Sequence, residues 1–562
     1  MRMTRYRAVL ALLLAACAMP AWANRAAVAT AEAHATAAAE EVLRAGGNAV
    51  DAAVAAGFAL AVTYPEAGNL GGGGLATVWF GGKSYFLDYR ERAPHQATAT
   101  MYLDAKGEPI PNSSTIGARA AGVPGSVAGL YELHHRFGVL PWAHDLAPAI
   151  TLASRGFVVP PGLADGSADE VTAMKGHTNF ADYFRVRAGQ RFKQPQLAAV
   201  LKRIATEGPD DFYKGRTADL IVKTMRRDHG LIDQADLADY KPVWRTPLEA
   251  DTDGYHVITA PPPSSGGIAL LQLLGMKSVR AADFQGVAPN SADYVHRVAE
   301  IEKRVFADRA EYLGDPDFVH VPVAALTDPS YLRARADEID PKMPTATANV
   351  LPGLKEHHQT THYSVLDRDG NAVAITYTLN DSFGSGAVVR GAGFLLNNEM
   401  DDFSIKPGVP NMYGVVGGDA NAIAPGKRPL SSMTPTILTK DGHVALVVGT
   451  PGGSRIFTTV FQVIANWRDT GLSLKDAVAL PRFHHQLLPD SVIYLEPKRT
   501  LDASVMQNLT ARGYRFEDQG WSMGDVQAIS ITPEHVEAVS DPRGRGASVV
   551  IPKERDCPCA SP

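Results

Sequence analysis

The sequence predicts an α+β protein, because a strand hairpin, a long and mostly helical middle, and a strand-rich final third occupy separate stretches. Residues 359–380, QTTHYSVLDRDGNAVAITYTLN, hold two runs rich in β-branched and aromatic residues on either side of an Asp-Gly turn, a strong short-range hairpin signal. From about Gly122 to Glu338 the pattern is helical, as in SVAGLYELHHRFG and SADYVHRVAEIEKRVFADRAEYLG. The last third returns to short strands, among them a pair through Asp441-Gly442 and the runs SVIYLEP and AISITP.

In chain order, Arg2, Arg5 and Arg7 precede an apolar run from Ala8 to Ala16, and Ala21-Trp22-Ala23 offers a small-x-small cleavage site. Residues 1–23 therefore read as a secretory signal peptide. Leu14-Ala15-Ala16-Cys17 also has the shape of a lipobox, so two outcomes stand: a free periplasmic or secreted protein, or one anchored by a lipid on Cys17. Loss of the three arginines takes the formal charge of −6 to about −9. Ala31 to Arg44 is a good helix composition, stopped by Gly46-Gly47. Asn48 is an N-cap candidate with Asp51 three residues on, opening a second helix to about Val62, apolar nearly all round and hence buried. Gly68 to Gly74, GNLGGGG, lacks the Lys-Ser/Thr and the GxGxxG spacing of phosphate loops, which leaves close backbone approach as its use. LATVWF and SYFLDYR pair as strands around Gly81-Gly82, the second ending near Arg90. YHVITAPPPSSGGIALLQLL reads as strand, tight loop and a helix from near Gly267.

Pro341 to His358 is a Pro-, Ala- and Gly-punctuated linker ending just before the Gln359–Thr360 bond. Lys406 to Asp419 is a Gly/Pro-rich loop with Tyr413 at its tip, a lid composition. VALVVGTPGGSR leads from a strand into the helix IFTTVFQVIANW. Cys557 and Cys559 are too few for a disulfide framework and fit a tail better than a metal site.

Composition excludes several function classes. Hydrophobic residues at 45% and charged residues at 20% are those of a soluble globular protein, and 562 residues leave room for three or four domain-sized units. No basic block marks a nucleic-acid partner, and no stretch is long and apolar enough to span a membrane. The pairs His357-His358 and His484-His485 are adjacent and cannot share a helix face, and HExxH is absent, so no metal or other cofactor is expected. G-x-S-x-G is absent as well.

What remains is the hydroxyl of Thr360. A Thr hydroxyl needs a base, and an N-terminal Thr carries one in its α-amine, pKa roughly 7.7–8.0. Thr360 gains that amine only if the Gln359–Thr360 bond is cut. Its own hydroxyl can do this by attacking the Gln359 carbonyl to give an ester that water opens. Pro451-Gly452-Gly453-Ser454, at a strand-to-helix turn, can offer adjacent N–H groups to an oxyanion. On composition alone, each of these is also an ordinary hairpin or turn.

The 359–380 run closely resembles the autoprocessing segment of the γ-glutamyltranspeptidase family. So do NLGGGG, LDYRERAP, PPPSSGGI, AEYLGDPDF, LLNNEMDDFS, PGVPNMYGVVGGDAN, KRPLSSMTPT, PGGSR and PRFHHQ, in this order, spanning about Ala31 to Arg543. The resemblance implies a four-layer αββα sandwich of the N-terminal-nucleophile hydrolase type. It would be a heterodimer of a large subunit, residues 24–359, and a small subunit, residues 360–562, cut from one precursor. It implies Thr360 as processing and catalytic nucleophile, supported by Thr378, with Gly452 and Gly453 as oxyanion donors. Arg90, with Ser431 and Ser432, would grip the α-carboxylate of a γ-glutamyl group. Glu399 and Asp402 would meet its α-ammonium, with Asn380 near it. Some members have Gln where this chain has Glu399, which bears on fine specificity. Tyr413 would belong to a lid that favours small substrates such as glutathione, the acceptor being water, an amino acid or a dipeptide. The rival readings are a cephalosporin or glutaryl acylase of the same fold and a non-catalytic periplasmic glutathione-binding protein.

Overall fold

The computed structural model describes residues 25–350, 361–406, 418–518, 520 and 522–552. Thirteen strands build two stacked antiparallel sheets. The first contains β1 (Ala26–Thr30), β2 (Gly73–Phe80), β3 (Lys83–Tyr89), β4 (Val243–Arg245), β7 (Thr361–Leu366), β8 (Ala372–Thr378) and β13 (Ala547–Ile551), in the order β13-β1-β7-β8-β2-β3-β4. The second contains β5 (Leu248–Thr252), β6 (Tyr255–Thr259), β9 (Thr436–Lys440), β10 (His443–Gly449), β11 (Gln527–Ile531) and β12 (Val536–Ser540), in the order β12-β11-β10-β9-β6-β5.

Strand alternation sorts the side chains into layers. Tyr363 and Val365 of β7, with Val373, Ile375 and Tyr377 of β8, point into a core shared with helices α1 (Ala33–Arg44), α2 (Ala49–Thr63), α3 (Ser126–Phe137) and α4 (Trp142–Arg155). Their neighbours Leu366, Ala372 and Ala374 meet Ile437, Val447 and Ile529 between the sheets. On the far side, Leu438, Leu446, Val448 and Ala528 pack under α5 (Gly266–Val279), α6 (Ala292–Tyr312) and α7 (Arg455–Thr470). Helix, sheet, sheet, helix is the four-layer αββα order that the resemblance implies. Shorter helices and two small sheets account for the other regular elements among the described residues.

Several elements form for the local reasons expected. Asn48 caps α2 with a full capping box: its side chain accepts from the N–H of Val50 and Asp51, while Asp51 accepts from the Asn48 N–H. Every residue of α2 is buried. The β7–β8 turn has Gly370 at φ 80°, and the β9–β10 turn has Asp441 and Gly442 at φ 52° and 77°, as Asp-Gly turns require.

Other elements differ from expectation. The Ala-rich helix begins at Ala33, capped by the Glu32 carboxylate, and Ala26–Thr30 before it is a strand. AAVAT has no strong strand preference. It is held by pairing on both sides, with β13 and β7, and by complete burial, so tertiary context overrides propensity. The helical middle also contains β4 and β5. The linker after Pro341 is tied down as far as Val350: Lys303 Nζ donates to the Thr345 carbonyl at 2.7 Å and Thr347 Oγ1 to the Leu487 carbonyl at 2.8 Å.

Candidate active site

The glycine run 71–74 lets three chain segments meet where one side chain would part them. A Cβ on Gly71 would lie 2.1 Å from the Leu395 carbonyl oxygen, and one on Gly72 would lie 2.0 Å from that of Thr378. Asn69 Nδ2 donates to the Thr378 carbonyl (2.9 Å), Asn397 N–H to the Gly71 carbonyl (3.1 Å), and Asn380 Nδ2 to the Asn398 carbonyl (3.0 Å). This knot carries Glu399 and Asp402, on a short 3-10 turn, to Arg90 at the end of β3.

Arg90 is 1% exposed. Its Nη1 lies 2.6 Å from Glu399 and 3.5 Å from Glu91, its Nη2 pairs with Asp402, and Nη2 also donates to the Leu430 carbonyl at 3.1 Å. Burial opposes the Arg90 charge, but the carboxylates of Glu399, Asp402 and Glu91 more than offset it and hold the guanidinium above its ordinary value. Burial pushes Glu399 well above the usual carboxylate range against the pull of Arg90, with Glu91 and Asp402 adding to the rise. Glu91 is likewise pushed up to about 7 by burial, against Arg90. Three acids on one cation cannot all stay ionised out of water. The acids assigned to a substrate ammonium are therefore paired here with the arginine assigned to its carboxylate, because buried charges pair with whatever is nearest.

Thr378 ends β8, and its Oγ1 accepts the Asn380 N–H at 2.8 Å. Asn380 sits at φ 79°, in the left-handed region that Asn tolerates better than most residues. Ser431 and Ser432 are held by the 261–267 loop: Ser431 N–H donates to the Pro263 carbonyl at 2.9 Å, and Ser265 N–H to the Ser431 carbonyl at 2.7 Å. Arg90, Thr378, Asn380, Glu399, Asp402, Ser431 and Ser432, with Met433 and Ile456, line one small cavity. That is seven of the expected positions in a single place, drawn from both halves of the chain.

Gly452 and Gly453 do not line the cavity; they lie at the turn from β10 into α7, whose Ile456 does. Their φ values of 132° and 64° need glycine. Their carbonyls accept from Arg455 and Ile456 N–H at 3.1 and 3.0 Å, so their own N–H groups stand at the open, partly positive end of α7. Gln359, Thr360, Tyr413, the signal segment with Cys17, and Cys557 and Cys559 lie outside the described residues. Glu91, Ser265 and Arg309 contact these residues without having been expected from the sequence, although Glu91 and Ser265 fall inside LDYRERAP and PPPSSGGI and Arg309 immediately precedes AEYLGDPDF. The signal was there; what each side chain touches was not.

The family model described as gamma-glutamyltranspeptidase matches residues 35–551. A glutathione hydrolase proenzyme of Pseudomonas aeruginosa is 62% identical over 514 residues, 91% of this chain and 92% of that protein. A crystal structure of a cephalosporin acylase from Bacillus halodurans superposes with a TM-score of 0.82 at 30% identity, covering 94% of this chain and 96% of that one. A gamma-glutamyltranspeptidase from Pseudomonas nitroreducens complexed with L-DON gives 0.56 at 57% identity, covering 57% of this chain and 96% of that one.

Proposed function

Because the chain belongs to the gamma-glutamyltranspeptidase family, we propose that it is a self-processing γ-glutamyltransferase and glutathione hydrolase, a heterodimer cut from one precursor. The observation that carries this is the single cavity in which a paired Arg90, Glu399 and Asp402 stand beside Thr378, Ser431 and Ser432. An arginine with two hydroxyls suits an α-carboxylate, two acids suit an α-ammonium, and the amide to be cut lies a few carbons away.

In processing, the Thr360 hydroxyl adds to the Gln359 carbonyl, the peptide nitrogen leaves as the new α-amine, and water opens the ester to a Gln359 carboxylate. The β7–β8 register pairs Tyr377 with Thr361, the residue that follows the proposed nucleophile in the chain. In turnover, the Thr360 amine takes the proton of Oγ as the oxygen attacks the γ-glutamyl carbonyl. The Gly452 and Gly453 N–H groups would receive the oxyanion. The departing amine leaves protonated, and water or an acceptor amine, such as an amino acid or a dipeptide, resolves the γ-glutamyl ester. No metal or cofactor enters these steps. A lid from the 407–418 loop with Tyr413 and export directed by residues 1–23, with or without a lipid on Cys17, belong to the same proposal.

The test is direct. The wild-type protein should resolve on a denaturing gel into two chains, the smaller beginning Thr-Thr-His, and should release the chromophore of γ-glutamyl p-nitroanilide. Thr360→Ala should stay as one inactive chain; an active or normally processed Thr360→Ala ends the proposal. The cephalosporin acylase likeness supports a second reading, and a glutaryl amide, which lacks the α-ammonium, separates the two. Preference for it over the γ-glutamyl amide would favour an acylase.

A further inference from the structure

The turn that carries Gly452 and Gly453 from β10 into α7 is braced by a hydroxyl. Thr450, the residue after β10, is fully buried. Its Oγ1 donates to the Pro451 carbonyl at 2.9 Å and accepts the Asp525 N–H at 2.9 Å. The hydroxyl proton is thus committed to Pro451, and the oxygen is held in place from the 524–526 segment. That segment is itself fixed. Gly524 sits at φ 86°, and a Cβ on it would lie 2.3 Å from Thr450 Oγ1. Val526 N–H donates to the Asp541 carboxylate at 2.9 Å, and Arg482 pairs with Asp541 at 2.6 Å.

The Pro451–Gly452 bond is trans, and in a planar trans peptide the C=O and N–H point in opposite directions. Drawing the Pro451 carbonyl toward Thr450 therefore turns the Gly452 N–H away from it. Proline fixes its own φ, so rotation about ψ of Pro451 is what swings this peptide plane. Glycine on the far side, at φ 132°, offers little steric resistance to a swing. The Thr450 hydroxyl is the group that opposes it.

We propose that Thr450 is a positioning residue: by holding the Pro451 carbonyl it aims the Gly452 N–H at the oxyanion formed on the γ-glutamyl carbonyl, while touching no substrate atom. This rests on the reading given above, in which the Gly452 and Gly453 N–H groups receive that oxyanion. Formation and opening of the γ-glutamyl ester both pass through an oxyanion, so a peptide plane left to swing slows both steps and leaves ground-state binding alone.

The experiment uses the full processed enzyme as wild type, Thr450→Val, Thr450→Ala, Thr450→Ser and Thr450→Cys. KM and kcat are measured for γ-glutamyl p-nitroanilide, and calorimetry gives the Kd and site number for L-glutamate, which has both α-groups and forms no oxyanion. Thr450→Val keeps the shape without the hydroxyl and should lower kcat about 10- to 100-fold, somewhat less than removing an oxyanion donor outright. Thr450→Ala should fall as far, whereas Thr450→Ser, which restores the donor, should stay within about threefold of wild type. The Kd and site number for L-glutamate should stay within about twofold throughout, because only the transition state is affected. A kcat for Thr450→Val like that of wild type, a loss in Thr450→Ser equal to that in Thr450→Val, or a Kd that weakens in step with kcat would each overturn the inference. If Thr450→Val and Thr450→Ala are not cut into two chains, Thr450→Ser and Thr450→Cys carry the test. Then kcat should fall from Ser to Cys as the donor weakens, and equal values overturn it. A wild type that leaves γ-glutamyl p-nitroanilide intact removes the functional reading itself, which is a different result from a wild type that turns it over independently of Thr450.

Discussion

In the proposed site, Arg90 is one buried side chain that would couple recognition to stability. It is the shared counter-ion of Glu91, Glu399 and Asp402, so it cannot be replaced as a surface arginine can. Arg90→Lys keeps the charge but loses the fork, and kcat/KM on γ-glutamyl p-nitroanilide should fall about 100-fold, mostly through KM. Arg90→Met removes the cation that three buried acids share and should cost about 3–5 kcal/mol of stability in a denaturant titration. Glu91 gives the site a pH dependence of its own. Burial pushes the Glu91 carboxyl up to about 7, against Arg90; neutral, it would leave Arg90 to its ligands, and ionised, it would compete with a substrate carboxylate in the proposed site. KM for the γ-glutamyl donor should therefore rise as pH passes about 7, and Glu91→Gln should flatten that rise. An unchanged slope in Glu91→Gln would exclude this role.

The glycine run and the β7–β8 hairpin act together. Gly72 has no room for a methyl group against the Thr378 carbonyl, so Gly72→Ala should destabilise by at least ~2 kcal/mol and displace the strand end next to the cleavage site. A stability measurement and a processing gel on the same variant check both halves. The α2–α3–α4 corner carries a separate burden. Asp145, fully buried on α4, is pushed up to about 9 by burial and by the neighbouring Asp51, with His134 Nε2 at 3.7 Å and His144 Nδ1 at 3.9 Å as the facing bases. Its folded pKa lies above its unfolded value of about 3.9, so its protonated form contributes stability that declines as pH rises toward about 9. Asp145→Asn removes that ionisation. Its stability advantage over wild type should grow between pH 5 and 9, by at most about 1.4 kcal/mol per pH unit, in parallel denaturant titrations. An advantage that stays flat with pH would contradict the assignment.

Taken whole, the described molecule is two sheets and two helical layers, and the proposed cleavage site immediately precedes β7 in the chain. β7 is paired on both sides, with β1 and β8, so cutting the chain just before it should leave the strand in place. The processed chains should stay together through gel filtration in native buffer and part only on denaturation. For the N-terminus, where export is proposed, intact mass of the mature protein decides between a free start at Asn24 and a lipidated Cys17, and Cys17→Ser should alter membrane association only in the second case. Much of this architecture was legible in the residues. Asp-Gly turns, the Asn48–Asp51 capping box and period-two strands are local signals, because their energetics depend on neighbours in sequence. The strand Ala26–Thr30 was not legible, since alanines become a strand only when partners from positions 361–366 and 547–551 arrive on both sides.

The same division runs through the site. The family resemblance of short stretches such as LDYRERAP, LLNNEMDDFS and KRPLSSMTPT named candidates for it, and seven of those candidates line one cavity. How those residues satisfy one another could not be read from the sequence. That Arg90 pairs with Glu399 and Asp402, that Glu91 is held near neutrality, and that Arg309 stands behind Ser432 all depend on burial and on donor–acceptor distances between segments up to 312 positions apart in the chain. Residue type and local spacing determine what a side chain can do; only the packing of distant segments decides its partner, its charge and the direction of its hydrogen bonds, because desolvation and electrostatics are properties of the assembled surroundings.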